Sequence, residues 1–219
     1  NSQVIKIKNG KEKLIKINGK KFLSPINIVV PGDPSSAAFF AALTLLNKNS
    51  SLKIKNVGLN PTRIGFYELL KKHGANIKFT NKRKKNNEII GDINVKSGRL
   101  KSPLIASRNF YEKTTDEFPI LFCIAALTKG ISVFKGIEDL ANKESNRIKE
   151  MQKILKQIGI KSVSNKNEMK VFGKNIIENK NKKISVSNLG DHRICMSSAI
   201  LSLITGIKAK INNFETVNT

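Results

Sequence analysis

Apolar positions in this chain follow three patterns: short alternating runs, longer stretches that are mainly apolar on every face, and runs at helical spacing. The opening block alternates, with Val4, Ile5 and Ile7, then Leu14, Ile15 and Ile17, then Ile26, Ile28, Val29 and Val30, punctuated by Gly10 and Gly19. It predicts short strands or hairpins, with Pro25 at a boundary. Asp33 and Pro34 then precede an apolar run from Ala37 to Leu46, broken only by Thr44. Asp at the N-cap and Pro at the first helical position predict a helix start, and the all-round apolarity predicts that this helix is buried. Leu52, Ile54 and Val57 predict a strand. Asn60-Pro61-Thr62-Arg63 is expected to open a second helix holding Ile64, Phe66, Leu69 and Leu70. Lys71, Lys72 and His73 crowd its surface C-terminus, and Gly74 closes it. Strands around Ile77–Phe79 and Ile93–Val95 follow, joined by a basic turn at 81–87.

The same order then recurs. Thr115-Asp116-Glu117-Phe118-Pro119 opens a second apolar helix from Ile120 to Leu127, and Ile131, Val133 and Phe134 form a strand. Lys143-Glu144-Ser145-Asn146-Arg147 precedes Ile148, Met151, Ile154, Leu155 and Ile158, an amphipathic stripe that ends at Gly159. Strands are expected at 160–163 and 170–172. A third copy starts at Gly190-Asp191-His192-Arg193, with an apolar helix from Ile194 to Ile204, a stop at Gly206 and a strand holding Ile207 and Ile211. The three aspartates at helix starts, Asp33, Asp116 and Asp191, lie about 83 and 75 residues apart, and Arg63 and Arg147 about 84 apart. A βαβαββ-like unit, repeated about three times with its apolar helices buried together, accounts for this order. Parallel buried helices would bring their N-termini to one face and concentrate partial positive charge there.

Composition adds a net charge of +24, from 40 basic and 16 acidic residues among 219. Such a surplus opens a nucleic-acid-binding reading as the alternative function class. The lysines are scattered among asparagines, however, and lack the aromatic interleaving of single-strand binders. A positive field also suits small anionic substrates. No apolar run is long enough to span a membrane and no signal peptide is visible. Cys123 and Cys195 sit inside apolar runs without metal spacing to His73 or His192, which predicts buried, reduced thiols in a cytoplasmic protein.

The chemistry concentrates at 143–147, where a cation, a carboxylate, a hydroxyl and a guanidinium share what is expected to be a helix's first turn. Free amides and the dipole favour anions at such a place, so the run suits a phosphorylated or carboxylated ligand. Against this, Asp33, Asp116 and Asp191 each suit a simple N-cap, and for Asp33 the cap is the preferred reading. Glu117 suits a dipole partner, and His192 a hydrogen bond behind the site.

Five motifs in register resemble the 5-enolpyruvylshikimate-3-phosphate synthase family: Gly32-Asp33-Pro34-Ser35-Ser36-Ala37-Ala38-Phe39, Asn60–Arg63, Asp116-Glu117-Phe118-Pro119, Lys143–Arg147 and Asp191-His192-Arg193. The resemblance implies an inverse α/β barrel-like domain of repeated βαβαββ units, the enolpyruvyl transferase fold, incomplete in this chain. Residues 1–30 resemble the end of the first-half domain. Residues 31–219 resemble the second domain without its last segment. The resemblance further implies transfer of the enolpyruvyl group of phosphoenolpyruvate to the 5-hydroxyl of shikimate 3-phosphate, with no metal or other cofactor. By carry-over, Asp116 contacts the shikimate hydroxyls and takes the 5-hydroxyl proton, and Glu144 gives and removes protons at the methylene carbon. Lys143 contacts shikimate 3-phosphate, while Arg147 and Arg193 hold the phosphoenolpyruvate carboxylate and phosphate. The partners implied are the two substrates and the N-terminal half of the same protein, with no nucleic acid or membrane, in a monomer when full length. The related UDP-N-acetylglucosamine enolpyruvyl transferases share the fold but lack the 143–147 run. One departure stands out: the family usually carries Asp where this chain has Asn146, so a clamp that relies on that charge to orient Arg147 would be looser here.

Overall fold

A computed structural model describes residues 2–6, 13–17, 22, 25, 27–85, 87–187 and 189–218. The chain divides into two units, Asn1–Val30 and Pro31–Thr219. In the first, β1 (Ser2–Lys6) and β2 (Lys13–Ile17) form an antiparallel hairpin with Val4 opposite Ile15. The expected punctuation at Gly10 and Gly19, and Ile26 of the third apolar run, fall outside the described residues. Residues 27–30 form no strand, because no described segment offers their backbone a ladder partner.

The second unit realises the repeat. Asp33 caps α1 (Pro34–Leu46), its carboxylate accepting from the Ser36 amide at 2.8 Å. Then come β3 (Ser51–Gly58), α2 (Gly65–Lys72), β4 (Asn76–Lys85) and β5 (Glu88–Lys96), in the antiparallel order β3-β5-β4. A parallel bridge from Gly32 to Val57 marks the vestige of a leading strand. The middle copy is complete: β6 (Ile105–Ala106), α3 (Phe118–Ala126), β7 (Gly130–Lys135), α4 (Arg147–Gln157), β8 (Lys161–Ser164) and β9 (Glu168–Gly173). Its sheet runs β6-β7-β9-β8, with β6 parallel to β7 and the remaining pairs antiparallel. The third copy holds β10 (Ile184–Val186) parallel to β11 (Ala209–Ile211), joined by α5 (His192–Thr205). Two and three residues are too short to display a period, so β6 and β10 leave no sequence signal.

The apolar helices α1, α3 and α5 pack against one another as the core, and every residue of α3 is buried. α4 turns its Ile148, Met151, Ile154 and Leu155 stripe inward, as its spacing predicts. Gly206 ends α5 with φ 68°, the left-handed conformation that favours glycine.

Four local expectations change. The turn at 61–63 precedes α2, which begins only at Gly65, since Pro61 and Thr62 satisfy a hydrogen-bonded turn between Arg63 N–H and the Asn60 carbonyl at 2.8 Å. The basic run at 81–85 is strand rather than turn: Asn81, at φ 51°, forms a bulge, after which Arg83, Lys84 and Lys85 rejoin β5. His73 is buried, not a surface residue; its Nδ1 lies 2.9 Å from the Leu69 carbonyl and its Nε2 accepts from the Ile105 amide at 3.1 Å, tying α2 to β6. At 143–147 only Arg147 is helical, because Asn146 is the N-cap, its side-chain oxygen accepting from the Lys149 amide at 3.0 Å.

Asp92, in central strand β5, fastens the bulges on both neighbours. Its carboxylate accepts from Asn81 Nδ2 at 2.7 Å and from the Asn56 amide at 3.1 Å, and Lys53 Nζ lies 3.1 Å away. Asn56 and Asn81 both adopt left-handed backbone, φ 57° and 51°. The Asn81 hydrogen bond, with those of Asn56 and Lys53, pulls the Asp92 carboxyl down to about 2 from an ordinary 3.8. A depressed folded value contributes stability above the unfolded value and loses it as pH falls through the folded one. Stability is therefore expected to drop between about pH 4 and about pH 2 through this residue. D92N will be less stable at neutral pH and will show a shallower loss across that window in urea titrations; an unchanged acid limb would remove Asp92 as the clamp.

Candidate active site

Three helix starts and the segment before a fourth helix meet at one end of the core. Arg147, the first residue of α4, is 1% exposed, an extreme burial for a guanidinium. Three carboxylates from different elements surround it. Its Nε donates to Asp191 Oδ2 at 3.0 Å, and Nη2 reaches Asp191 Oδ1 at 3.4 Å. Nη2 donates to Glu144 Oε2 at 2.6 Å, and Nη1 to Asp116 Oδ1 at 3.4 Å. Arg193, the second residue of α5, places Nη2 3.6 Å from Asp116 Oδ2. Asp116, Glu144, Arg147 and Arg193 thus form one contiguous cluster.

Asp191 anchors it. The carboxylate is fully buried and divides its oxygens: Oδ1 accepts from the amides of Arg193 and Ile194 at 3.0 and 3.3 Å, capping α5, while Oδ2 takes Arg147 and the Ser145 hydroxyl at 2.8 Å. Burial pushes this carboxyl upward, but Arg147, Ser145 and the Ile194 amide outweigh it and hold the group below the ordinary carboxylate range. Asp191 is therefore both cap and counter-ion. Asn146 does not orient Arg147 in this structure; it caps α4, and Asp191 supplies the charge.

Asp116 caps no helix. It lies in a 3-10 turn at Thr115–Glu117, and its carboxylate is spent on Arg147 and Arg193. Its side chain is 44% exposed and that of Glu144 46%, so both reach solvent, although a guanidinium faces each Asp116 oxygen while only Oε2 of Glu144 is engaged. Lys143 Nζ sits on Asp139 Oδ2 at 2.8 Å, the same oxygen that accepts from the Tyr111 hydroxyl at 2.6 Å. Tyr111 stacks on buried Phe118, with ring centres 5.6 Å apart. Lys143 thus faces a neighbouring carboxylate rather than joining Arg147.

Arg63 keeps the place in the first repeat that Arg147 holds in the second, paired with Asp33 at 3.0 Å and reaching Ser35 Oγ at 3.4 Å. The His192 side chain makes no hydrogen bond among the described residues, so it does not support the site in the expected way. Glu117 is the unexpected member. It is 3% exposed at the start of α3 and follows Asp116 directly in the chain. Burial pushes its carboxyl up to about 7; Asp116 adds to that, and Ser35 and Arg193 oppose it. Asp139, Ser145, Asp191 and Glu117 carried no assignment to the site in the sequence. The single available signal was the position of Asp191 at a helix start, which a plain cap explains equally well.

Chemically, the cluster offers two half-open carboxylates on a rigid guanidinium. It also offers a second guanidinium whose Nε and Nη1 are buried without a hydrogen-bond partner among the described residues. Such donors suit a carboxylate or phosphate oxygen.

Comparison with known proteins places this geometry. A family model for EPSP synthase (3-phosphoshikimate 1-carboxyvinyltransferase) matches residues 1–219. The 3-phosphoshikimate 1-carboxyvinyltransferase of Petrotoga mobilis is 41% identical over 189 residues, covering 86% of this chain and 43% of the relative. That of Zymomonas mobilis is 38% identical over 195 residues, covering 88% and 43%. A solved EPSP synthase from Acinetobacter baumannii superposes with a TM-score of 0.86 at 34% identity, covering 99% of this chain and 48% of that one. The enolpyruvyl transferase NikO from Streptomyces tendae, at 12% identity and a TM-score of 0.65, shares the fold. The chain thus spans a little under half the length of these relatives. By motif, repeat and superposition alike, the chain belongs to the EPSP synthase family.

Proposed function

We propose that this chain forms one wall of an active site that moves the enolpyruvyl group of phosphoenolpyruvate to the 5-hydroxyl of shikimate 3-phosphate and releases phosphate. The rest of a longer protein supplies the other wall. The observation that carries this reading is that Asp116 and Glu144, 28 positions apart, share one buried guanidinium while each reaches solvent. Addition requires the hydroxyl oxygen to bond to the substituted enol carbon as the methylene carbon gains a proton. Elimination then removes a proton from the new methyl group as phosphate leaves. Asp116 takes the hydroxyl proton. Glu144 delivers the proton to the methylene carbon and takes one back, its position fixed by Arg147. Arg193 offers its unpartnered Nε and Nη1 to the anionic end of phosphoenolpyruvate, and Arg147 stabilises charge from behind the two carboxylates. Lys143 meets the phosphate of shikimate 3-phosphate by exchanging Asp139 for it.

In the same reading, residues 1–30 belong to the first-half domain and 31–219 to the second. The whole protein is a cytoplasmic monomer.

Three outcomes test these assignments. Purified residues 1–219, given both substrates, will release phosphate no faster than a blank in a continuous phosphate assay; robust turnover would place the entire site in this chain. In the full-length protein, E144Q will lower kcat by about 10²–10⁴-fold with an unchanged circular dichroism spectrum, and wild-type rates would remove Glu144 from the proton transfer. D191N will act on the fold instead, costing roughly 3–5 kcal/mol in urea unfolding because it leaves Arg147 buried without its counter-charge. A D191N protein of normal stability would contradict the anchor.

A further inference from the structure

The carboxylate and guanidinium cluster occupies the end of the core where the apolar helices begin. At the opposite end, where α1, α3 and α5 finish, a groove of about 760 Å³ opens. Its apolar lining comes from all three repeats: Leu45 in the last turn of α1, Leu127 directly after α3 and Ile204 in the last turn of α5. Ile176 lines it too, 77% exposed. A volume of this size, with apolar walls and a few polar groups, suits a small organic molecule.

The charge around the groove has one sign. Lys48, Arg99, Lys101 and Lys129 line it, and no carboxylate does so among the described residues. These cations come from three connections, 47–50, 97–104 and 127–129, and all four are exposed. Their side chains make no ion pair or hydrogen bond among the described residues. Cations near helix ends can serve the last carbonyls. Here backbone meets that need, since the carbonyls of Leu45, Ala126 and Ser202 accept from the amides of Gly98, Lys174 and Gly206 at 3.1, 2.9 and 2.9 Å. The stem of Lys101 is held in place as well. A Cβ on Gly74 would lie 2.6 Å from Lys101 Cγ, so this lysine rests against bare glycine backbone, and its amide donates to the His73 carbonyl at 2.9 Å. Four unpaired cations beside one apolar recess repel one another until an anion joins them.

We propose that this groove is a second binding site, for a small amphipathic anion. Its apolar or aromatic body covers Leu45, Leu127 and Ile204, and its anionic group sits among the four cations. Burial of the body supplies the attraction, and the cations select the sign of the ligand. No bond is made or broken there. The site shares no residue with the cluster of Asp116, Glu144, Arg147 and Arg193 and stands whatever reaction that cluster performs.

Two fluorescent probes with the same aromatic body test this in the 219-residue chain. The anion 1-anilinonaphthalene-8-sulfonate will bind at a single site, about tenfold or more tighter than uncharged N-phenyl-1-naphthylamine. Gly98 lines the groove, and a Cβ there meets nothing within 4 Å. G98F therefore puts a ring into the groove with every cation still present, and it will abolish anion binding. K101E and K129E together will weaken binding about tenfold or more with an unchanged circular dichroism spectrum. R193Q will keep the wild-type affinity. Equal affinity for the two probes makes the groove a plain apolar surface and overturns the proposal, as does an anionic probe that does not bind. Wild-type affinity in G98F, or loss of binding in R193Q, places the probe elsewhere and overturns it too. Should G98F not fold, the paired lysine substitutions decide: undiminished affinity in that protein refutes the site.

Discussion

The fully buried pair of Arg147 and Asp191 is the interaction on which this end of the molecule depends. Removing either charge from water costs several kcal/mol on its own, and the pair is tolerable only because every face of Asp191 is satisfied. Two α5 amides, the Ser145 hydroxyl and the Arg147 fork divide its oxygens. The pair joins the second helix of one repeat to the first helix of the next, so the geometry of the cluster is set by packing between repeats. Once Arg147 is fixed, its remaining donors fix Glu144 and Asp116 in turn.

Repetition explains why such an arrangement arises, and environment explains why the copies differ. Asp33 with Arg63 and Asp116 with Arg147 occupy equivalent places, at 3.0 and 3.4 Å. In the first copy both partners are substantially exposed, so the pair contributes little beyond local order. In the second, Arg147 is sealed beneath the third repeat and the same pairing becomes part of a low-dielectric network. Convergence of helix starts adds amide dipoles to that network. An acid-rich cluster inside a chain of net charge +24 shows how little the bulk charge says about local chemistry.

Much of this was legible along the chain. The apolar runs located α1, α3 and α5, the 3.6-residue spacing located α4, and the 83- and 75-residue offsets of the aspartates exposed the repeat. Asp116, Glu144, Arg147 and Arg193, singled out by the motifs at 116–119, 143–147 and 191–193, lie in one cluster. Less legible were the helix starts. Asn60–Arg63 and Lys143–Asn146 both carry the polar residues of a first turn, yet helix begins only at Gly65 and Arg147. A cap and a first turn favour the same residue types, so composition cannot separate them. The basic run at 81–85 misleads for a related reason: asparagine suits turns, but Asn81 takes its left-handed conformation as a bulge within a strand.

What the sequence determined by itself is the class of most elements and the order of the repeat, because these depend on contacts within a few residues. The tertiary structure alone decided which charges meet. Lys143 turned to Asp139, Arg147 to Asp191 across 44 positions, and Arg193 to Asp116 on another element. Hydrophobic periodicity says which side of a helix faces the core. It does not say which polar group waits there, since an aspartate at a helix start reads as a cap whether or not a buried guanidinium from another repeat stands behind it.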